Sequence, residues 1–241
     1  MSEPSFDTVS PKRVKAKMRP QSCKAKGRRL QQSCATALKE AFPFLQGNDV
    51  RSISMGAAGD DLILSPAALK VLPYNFEMKN VETLSLWATL EQVLRRYYLQ
   101  DQGIPTYPCV VLKRNHTEPV GIIPFGHLLN RMLGRPEVHP MFSTSNLDLC
   151  WQNLAVHCGE WAQSCFVKCL AKTKFHFWDT WTELKGRHDC PLLLFNRGDQ
   201  NYTVFAAMPF NFLVHLLSKS YVLNPDLPGL VVGTHGSVLR L

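Results

Sequence analysis

Two short segments combine acidic and basic residues at spacings that support chemistry. A glycine-rich turn ends in Gly59-Asp60-Asp61, and residues 76–79 read Phe-Glu-Met-Lys. If the second segment is a strand, its side chains alternate between faces, so Glu77 and Lys79 lie on one face about 7 Å apart. The apolar residues of the segment then face the core. An acid and a base thus stand side by side, and Asp61 reaches them if its own strand is the neighbour.

Phosphodiester hydrolysis requires this combination of groups. Two carboxylates hold Mg²⁺ through hard oxygen ligands, and the ion keeps waters and takes phosphate oxygens. The bound ion lowers the pKa of its water and stabilises the negative charge of the transition state. A lysine beside it orients the water or stabilises the developing charge. The alternative is that Glu77 and Lys79 form an exposed strand pair of little energetic value.

The order and spacing of these residues resemble the PD-(D/E)XK, or restriction-endonuclease-like, nuclease superfamily. Fifteen residues separate Asp61 from Glu77-x-Lys79, and an amphipathic helix precedes both. The stretch from Lys26 to Asn80 is most similar to small phage-type and Holliday-junction-resolvase-like members. The likeness covers residues 26–133, somewhat under half of the chain.

The resemblance implies roles for five residues. Asp61 and Glu77 correspond to metal ligands, and Lys79 corresponds to the catalytic lysine. The backbone carbonyl of Met78 is implied as a further ligand. Gln92, on the following helix, corresponds to a glutamine near the catalytic centre, with a solvated helix residue as the alternative. The implied cofactor is Mg²⁺, with Mn²⁺ as a substitute.

Three neighbouring positions leave alternatives open. Many resolvase-like members carry a metal-binding Glu on the first helix, whereas this chain has Gln31-Gln32 there. An amide orients a water but supplies no negative charge. Asp60 is a weaker ligand candidate than its neighbour, and Ser54 is either a phosphate contact or a turn hydroxyl.

The positive charge of the chain is concentrated at its N-terminal end. The net charge is +8, and residues 1–29 hold nine basic against two acidic residues, a local net of +7. A short basic segment attracts a phosphate backbone with an affinity that falls as salt rises. We therefore expect residues 1–26 to form a flexible basic arm, with a solubilising or localisation tail as the alternative. The predicted DNA contacts are Lys24, Lys26, Arg28, Arg29 and Ser54.

Hydrophobic periodicity predicts a mixed α/β domain at residues 27–136. A helix is expected from Arg28 to the residues before Pro43. Ser65 before Pro66 predicts the start of a second helix. The remaining predicted elements are strands at 50–54, 62–64, 75–79, 109–113 and 120–124, and helices at 84–98 and 125–132. The expected fold is a restriction-endonuclease-like core, a mixed sheet flanked by helices.

The C-terminal part, residues 137–241, repeats features of the first. Leu86-Trp87-Ala88-Thr89-Leu90 resembles Phe177-Trp178-Asp179-Thr180-Trp181, and Ile123-Pro124-Phe125 resembles Met208-Pro209-Phe210. We expect a degenerate second copy of the nuclease core, with coincidence between two ordinary α/β segments as the alternative. In that copy Val167 or Lys168 replaces the acid, so no metal site survives. Such a half would serve as a packing or DNA-positioning partner.

Cysteine usage and hydropathy bear on the compartment. Eight cysteines without a CxxC pair or a signal peptide predict reduced thiols. Cys165 and Cys169 are the one close pair, so a zinc-stabilised module using them with His176 is the weakest interpretation. No apolar run is long enough to span a bilayer. We expect a soluble intracellular protein, cytoplasmic or, in a eukaryote, nuclear, without a membrane partner.

Together these features predict a Mg²⁺-dependent DNA endonuclease. Its substrate would be junction or branched DNA, in recombination, repair or phage replication. It would act as a monomeric pseudo-dimer or as a homodimer. The alternative is a non-catalytic nucleic-acid-binding protein that retains the nuclease fold.

Overall fold

The computed structural model describes residues 20–53, 59–98, 106–134, 146–148, 151–152, 165–198 and 202–223. The helices are α1 (Pro20–Ala41), α2 (Pro66–Val71), α3 (Leu86–Tyr98), α4 (Phe125–Leu133), α5 (Phe177–Lys185) and α6 (Phe210–Leu223). The strands are β1 (Val50–Ser52), β2 (Leu62–Leu64), β3 (Tyr74–Asn80), β4 (Tyr107–Lys113), β5 (Val120–Pro124), β6 (Phe166–Ala171), β7 (Pro191–Asn196) and β8 (Phe205–Pro209).

Local sequence signals account for the helices that the periodicity predicted. Ser65 caps α2 by accepting a hydrogen bond from the Ala68 N–H at 3.1 Å, and Pro66 occupies the first turn. The buried residues of α1 recur at positions i, i+1, i+4, i+5 and i+8, as expected for one face of a helix. They are Leu30, Gln31, Cys34, Ala35 and Leu38.

Six strands form one mixed sheet in the order β3-β4-β5-β8-β7-β6, and β1 and β2 form a separate antiparallel pair. The outer pairs β3–β4 and β6–β7 are parallel, while the three inner pairings are antiparallel. Each parallel pair is joined by a helix, α3 in the first half and α5 in the second. The predicted α/β class is confirmed, and both halves share one sheet.

The strand pairing is symmetric about its middle. At the centre of the sheet β5 pairs with β8, and Ile122 lies opposite Ala207. Each further strand on one side of this central pair has a counterpart, from the other half of the chain, on the other side. Following the pairing outward from this centre leads through Val110 to Glu77 on one side. On the other side it leads through Leu193 to Lys168. Glu77 and Lys168 therefore occupy equivalent positions on the two outermost strands, on one face of the sheet.

The contacts between the halves follow the same symmetry. Arg114, just after β4, donates to the Thr182 hydroxyl of α5 at 2.8 Å. Arg197, just after β7, donates to the Glu91 carboxylate of α3 at 2.6 Å. Arg114 also lies over the ring of Trp178 in the other half, whereas Arg197 lies over the ring of Tyr202 in its own half. The hydrogen bonds of the two arginines are thus equivalent between the halves, and their aromatic contacts are not.

Helices cover both faces of the sheet. α3 and α5 lie over the face of Glu77 and Lys168, because each of these side chains pairs with the helix above it. α6 lies over the opposite face, where it packs against Gly121. One cluster of buried apolar residues runs through both halves. None of the described helices is long and apolar enough to cross a membrane.

The first helix begins earlier than the sequence predicted. Residues 20–26, assigned above to the flexible arm, form the first turns of α1. These turns lack the apolar spacing that marks the rest of the helix, so hydrophobic periodicity could not detect them. The rest of the predicted arm, residues 1–19, lies outside the described residues.

Candidate active site

Asp61 lies beside the free edge of β3. Its backbone N–H donates to the Phe76 carbonyl at 2.9 Å, and its carboxylate accepts the Met78 N–H at 2.5 Å. The residue immediately precedes β2, which fixes its place next to β3. In an extended strand the N–H and C=O of one residue point to the same side. The Met78 carbonyl therefore faces the same edge as Asp61.

Glu77 is a buried acid held by two cations. Its side chain is 6% exposed, and Lys79 Nζ lies 2.5 Å from Oε1. Arg96 Nη1 of α3 lies 2.9 Å from Oε2. Both cations are about one-third exposed. Burial of a carboxylate is tolerated when charged partners satisfy it, and here each oxygen has one.

Asp60 adds a third carboxylate to the group. Arg96 Nη1 also lies 3.4 Å from its Oδ1, so this guanidinium joins Asp60 to Glu77. Burial raises the pKa of Asp60, and the negative charges of Glu77 and Asp61 act in the same direction against the effect of Arg96. The cluster of three acids thus disfavours further negative charge and favours a cation.

Gln31 of α1 completes the surroundings of Asp61. Its side-chain nitrogen donates to Asp61 Oδ1 at 2.6 Å, and the residue is 3% exposed. Its oxygen, Oε1, has no hydrogen-bond partner. Exchanging the two amide atoms would set oxygen against carboxylate, so the amide must donate to Asp61. A buried acceptor is left beside the acids, where a water or a cation would satisfy it.

The oxygen atoms that could bind Mg²⁺ are present, although the carboxylates already contact other groups of the site. Among the described residues, no three Asp, Glu, His or Cys side chains are arranged as a metal-holding group. Both oxygens of Glu77 are paired with cations, one with Lys79 and one with Arg96. Carboxylate, carbonyl and amide oxygens are nonetheless the ligands that Mg²⁺ prefers. The unpartnered Gln31 oxygen is the observation that favours a cation or water here.

The three residues of the sequence motif are therefore brought together at β3. Asp61 contacts the backbone between Glu77 and Lys79, and these two side chains form an ion pair. Gln92 is exposed on α3, one turn before Arg96 and on the same side of the helix. Its catalytic role stays a prediction. Ser54 lies outside the described residues.

Apart from Ser54, the predicted DNA-binding residues lie in the N-terminal half of α1. Lys24, Arg28 and Arg29 are exposed. Lys26 is partly buried, and its ammonium donates to Asn115 Oδ1 at 2.6 Å. Arg28 is one helical turn before Gln31, so this basic segment leads directly to the acidic cluster.

Two residues of the cluster were not assigned by the motif. Arg96 follows Gln92 by one helical turn on the polar side of α3. This spacing is the sequence feature that could have identified Arg96 as part of the site. In the sequence, Gln31 stands out only because many resolvase-like nucleases carry a metal-binding glutamate at this place on the first helix. Its contact with Asp61 depends on how α1 packs beside β3, which the sequence does not specify.

Among the described residues of the second half, no equivalent group of acids is found. Lys168, at the position of Glu77, pairs with Glu183 of α5 at 3.1 Å. The thiol of Cys165 lies 3.8 Å from that of Cys190 rather than beside Cys169. Within the described ranges no cysteine or histidine belongs to a metal-holding group.

Comparisons of the chain with protein-family models, with curated proteins and with solved structures find no match.

Proposed function

We propose that this protein is a divalent-metal-dependent DNA endonuclease that uses Mg²⁺ and acts through Asp61, Glu77 and Lys79. One observation carries the proposal: the Asp61 carboxylate accepts the N–H of Met78, the residue between Glu77 and Lys79. This contact sets the Asp61 carboxylate beside the strand segment that carries Glu77 and Lys79, although Asp61 comes before β2 in the chain. A second carboxylate next to an acid–lysine pair is suited to holding a divalent ion.

Each residue has a defined task in phosphodiester hydrolysis. Mg²⁺, when bound, supplies charge neutralisation and a water of lowered pKa. Asp61 and Glu77 supply hard oxygen ligands, and Gln31 orients Asp61 through its amide. The Lys79 ammonium is kept in place by Glu77 and orients the attacking water or stabilises charge on the phosphate.

Electrostatics support a nucleic-acid substrate. The acidic cluster alone would repel a polyanion, but α1 presents exposed cations one turn before the site. Phosphate contacts of this kind position a duplex without reading its sequence. A DNA backbone lying along the N-terminal half of α1 would bring one phosphodiester towards Asp61.

We further propose that the fold is a restriction-endonuclease-like core followed by a degenerate second copy. The symmetric sheet order and the equivalent arginine contacts support duplication. Lys168 stands at the equivalent position, so the described residues of the second half lack the acid that would correspond to Glu77. Glu77 and Lys168 are separated by five strand spacings, or about 24 Å. A cation there suits a second phosphate contact on the same DNA, in a monomeric pseudo-dimer.

A cleavage assay on four-way-junction, flap and linear DNA tests the proposal. Cleavage is expected with Mg²⁺ or Mn²⁺ and is expected to stop with EDTA. Asp61→Ala and Lys79→Ala should each lower the cleavage rate by at least about 100-fold. DNA binding, measured in parallel by fluorescence anisotropy, should be retained.

Matched controls are Glu40→Ala in α1 and Lys70→Ala in α2, which remove an exposed acid and an exposed lysine outside the cluster. They are expected to cleave at the wild-type rate. Cleavage by the Asp61 and Lys79 variants at that same rate would rule out this site.

A second candidate function is non-catalytic nucleic-acid binding. It is favoured by the neutralisation of Glu77, whose two oxygens are both taken by cations. Under this alternative DNA binding would be unaffected by EDTA, and no divalent ion would produce cleavage of any of the three substrates.

A further inference from the structure

We propose that Arg96 is an internal counter-ion that holds the acidic cluster in the absence of a metal ion and moves to the substrate phosphate when the ion binds. This inference rests on the proposed function, since it concerns the same site. The Arg96 side chain would occupy two positions in succession, the first on the acids and the second on the phosphate.

The first position is the one in the structure. The guanidinium bridges Glu77 and Asp60 through a single nitrogen, Nη1, at 2.9 and 3.4 Å. Both contacts join α3 to acids outside the helix, Glu77 and Asp60, which are 19 and 36 residues away in sequence. Arg96 is thus the cation that lies between two of the three carboxylates.

A divalent ion and this guanidinium compete for the same oxygens. An ion shared between Glu77 and its neighbours needs carboxylate lone pairs that Arg96 and Lys79 now take. Two positive groups at bonding distance from one carboxylate also repel each other. Lys79 pairs with Glu77, whereas Arg96 lies between Glu77 and Asp60, where an ion shared by these acids would bind. Arg96 is therefore the group that would have to move.

The second position, on the substrate phosphate, follows from the exposure of Arg96 and from the affinity of a guanidinium for phosphate. The Arg96 side chain is 32% exposed, so part of it already meets solvent and is open to a ligand from outside. A guanidinium released from a carboxylate is a strong ligand for phosphate, with which it forms two parallel hydrogen bonds. Arg96 would then neutralise charge on the phosphate while the carboxylates hold the ion.

The test compares Arg96→Gln with wild type in two separate measurements. Mn²⁺ binding to the full-length, DNA-free protein is followed by electron paramagnetic resonance. Removing the competing cation should tighten Mn²⁺ binding by about three- to tenfold. Cleavage of a labelled four-way junction is then measured at saturating Mn²⁺, where the variant should be about 100-fold slower because the phosphate loses its arginine.

Arg95→Gln is the matched control, because Arg95 is the exposed neighbouring arginine of the same helix. It should change neither value. Arg96→Lys keeps the charge at this position, so it should bind Mn²⁺ with near-wild-type affinity and cleave at a rate between wild type and Arg96→Gln. Thermal unfolding of all variants verifies that they are folded.

The opposite directions of the two effects are the signature of the proposal, since a merely structural residue would weaken both. Unchanged or weaker Mn²⁺ binding by Arg96→Gln would overturn it, as would cleavage by that variant at the wild-type rate. If wild type cleaves DNA and either result is obtained, only the Arg96 proposal fails. If no variant, wild type included, binds Mn²⁺ or cleaves DNA, the proposed function fails with it.

Discussion

Asp61 depends on two neutral donors for its orientation. The Gln31 amide holds one carboxylate oxygen and the Met78 N–H holds the other. Neither donor carries a charge, so the negative charge of Asp61 is oriented without being neutralised. Glu77 differs, because its oxygens are met by an ammonium and a guanidinium. Of the two predicted ligands, Asp61 is thus the one prepared to receive a cation.

His127 gives a prediction at the residue scale. It is buried between Tyr74 and Tyr107, with ring centroids at 5.2 and 3.9 Å, and neither ring nitrogen has a hydrogen-bond partner. Burial, with a smaller contribution from the charge of Arg131, holds the pKa of His127 well below its usual value. Below about pH 6.5 His127 takes up a proton in the unfolded chain but stays neutral in the folded protein. Stability is therefore lost as the pH falls through this range.

Between pH 7.5 and pH 5.5 we expect the free energy of unfolding to fall by about 1 kcal/mol more in wild type than in His127→Phe. Urea denaturation of both proteins at the two pH values measures this difference. The phenylalanine keeps the stacking with the tyrosines and removes the titrating group. Parallel pH profiles of the two proteins would contradict the assignment.

The motif residues could be identified from the sequence, whereas their partners could not. Alternation in a strand is a local property, so Glu77 and Lys79 were expected on one face. The contact of Arg96 with Glu77 depends on the rotation of α3 above the sheet. That rotation results from the packing of the whole helix, and no short segment encodes it.

At the scale of elements, one glycine fixes the approach of α6 to β5. A Cβ at Gly121 would lie 2.6 Å from Leu213 Cδ2 and 3.3 Å from Phe210 Cδ2. Both side chains are buried in the core and have little room to move. The missing side chain therefore permits the close packing of this helix on the middle of the sheet.

Gly121→Ala is expected to lower the free energy of unfolding by about 1–3 kcal/mol through overpacking. Chemical denaturation provides the measurement. Gly47→Ala is the control, because a Cβ there meets no atom within 4 Å. Equal stability of the two variants would show that α6 adjusts to the extra methyl group.

Most elements were predictable because their signals are local. Apolar spacing, the Ser65 cap and the alternating strands indicated helices and strands that the structure contains. The sheet order was not predictable, because the pairing of β5 with β8 joins residues about 85 positions apart and no short pattern specifies it.

At the scale of the whole molecule, the charge distribution predicts a salt-dependent interaction with DNA. Exposed cations on the first turns of α1 lead to the site, while the net charge of residues 30–241 is close to neutral, with 18 basic and 17 acidic residues. Each phosphate contact releases counterions, so affinity falls with salt in proportion to the number of contacts.

The double variant Arg28→Ala, Arg29→Ala should therefore reduce the slope of log K against log salt by up to about 2 units. Fluorescence anisotropy titrations between low and physiological salt measure the slope. Lys39→Ala, at the other end of the same helix, should leave it unchanged. A slope unaffected by the double variant would place the DNA elsewhere.

The central pairing of β5 with β8 also determines what the smallest working fragment can be. These strands meet over five residue pairs, and both are almost wholly buried. A gene fragment ending at residue 136 would encode every proposed catalytic residue yet leave β5 as a bare apolar edge, open to pairing with other chains. We expect that fragment to aggregate when expressed alone and to be rescued by co-expression of residues 137–241, as solubility assays would reveal. Under the proposed function, residues 137–241 would then be needed to keep the catalytic residues in a soluble protein, which would explain why they are kept.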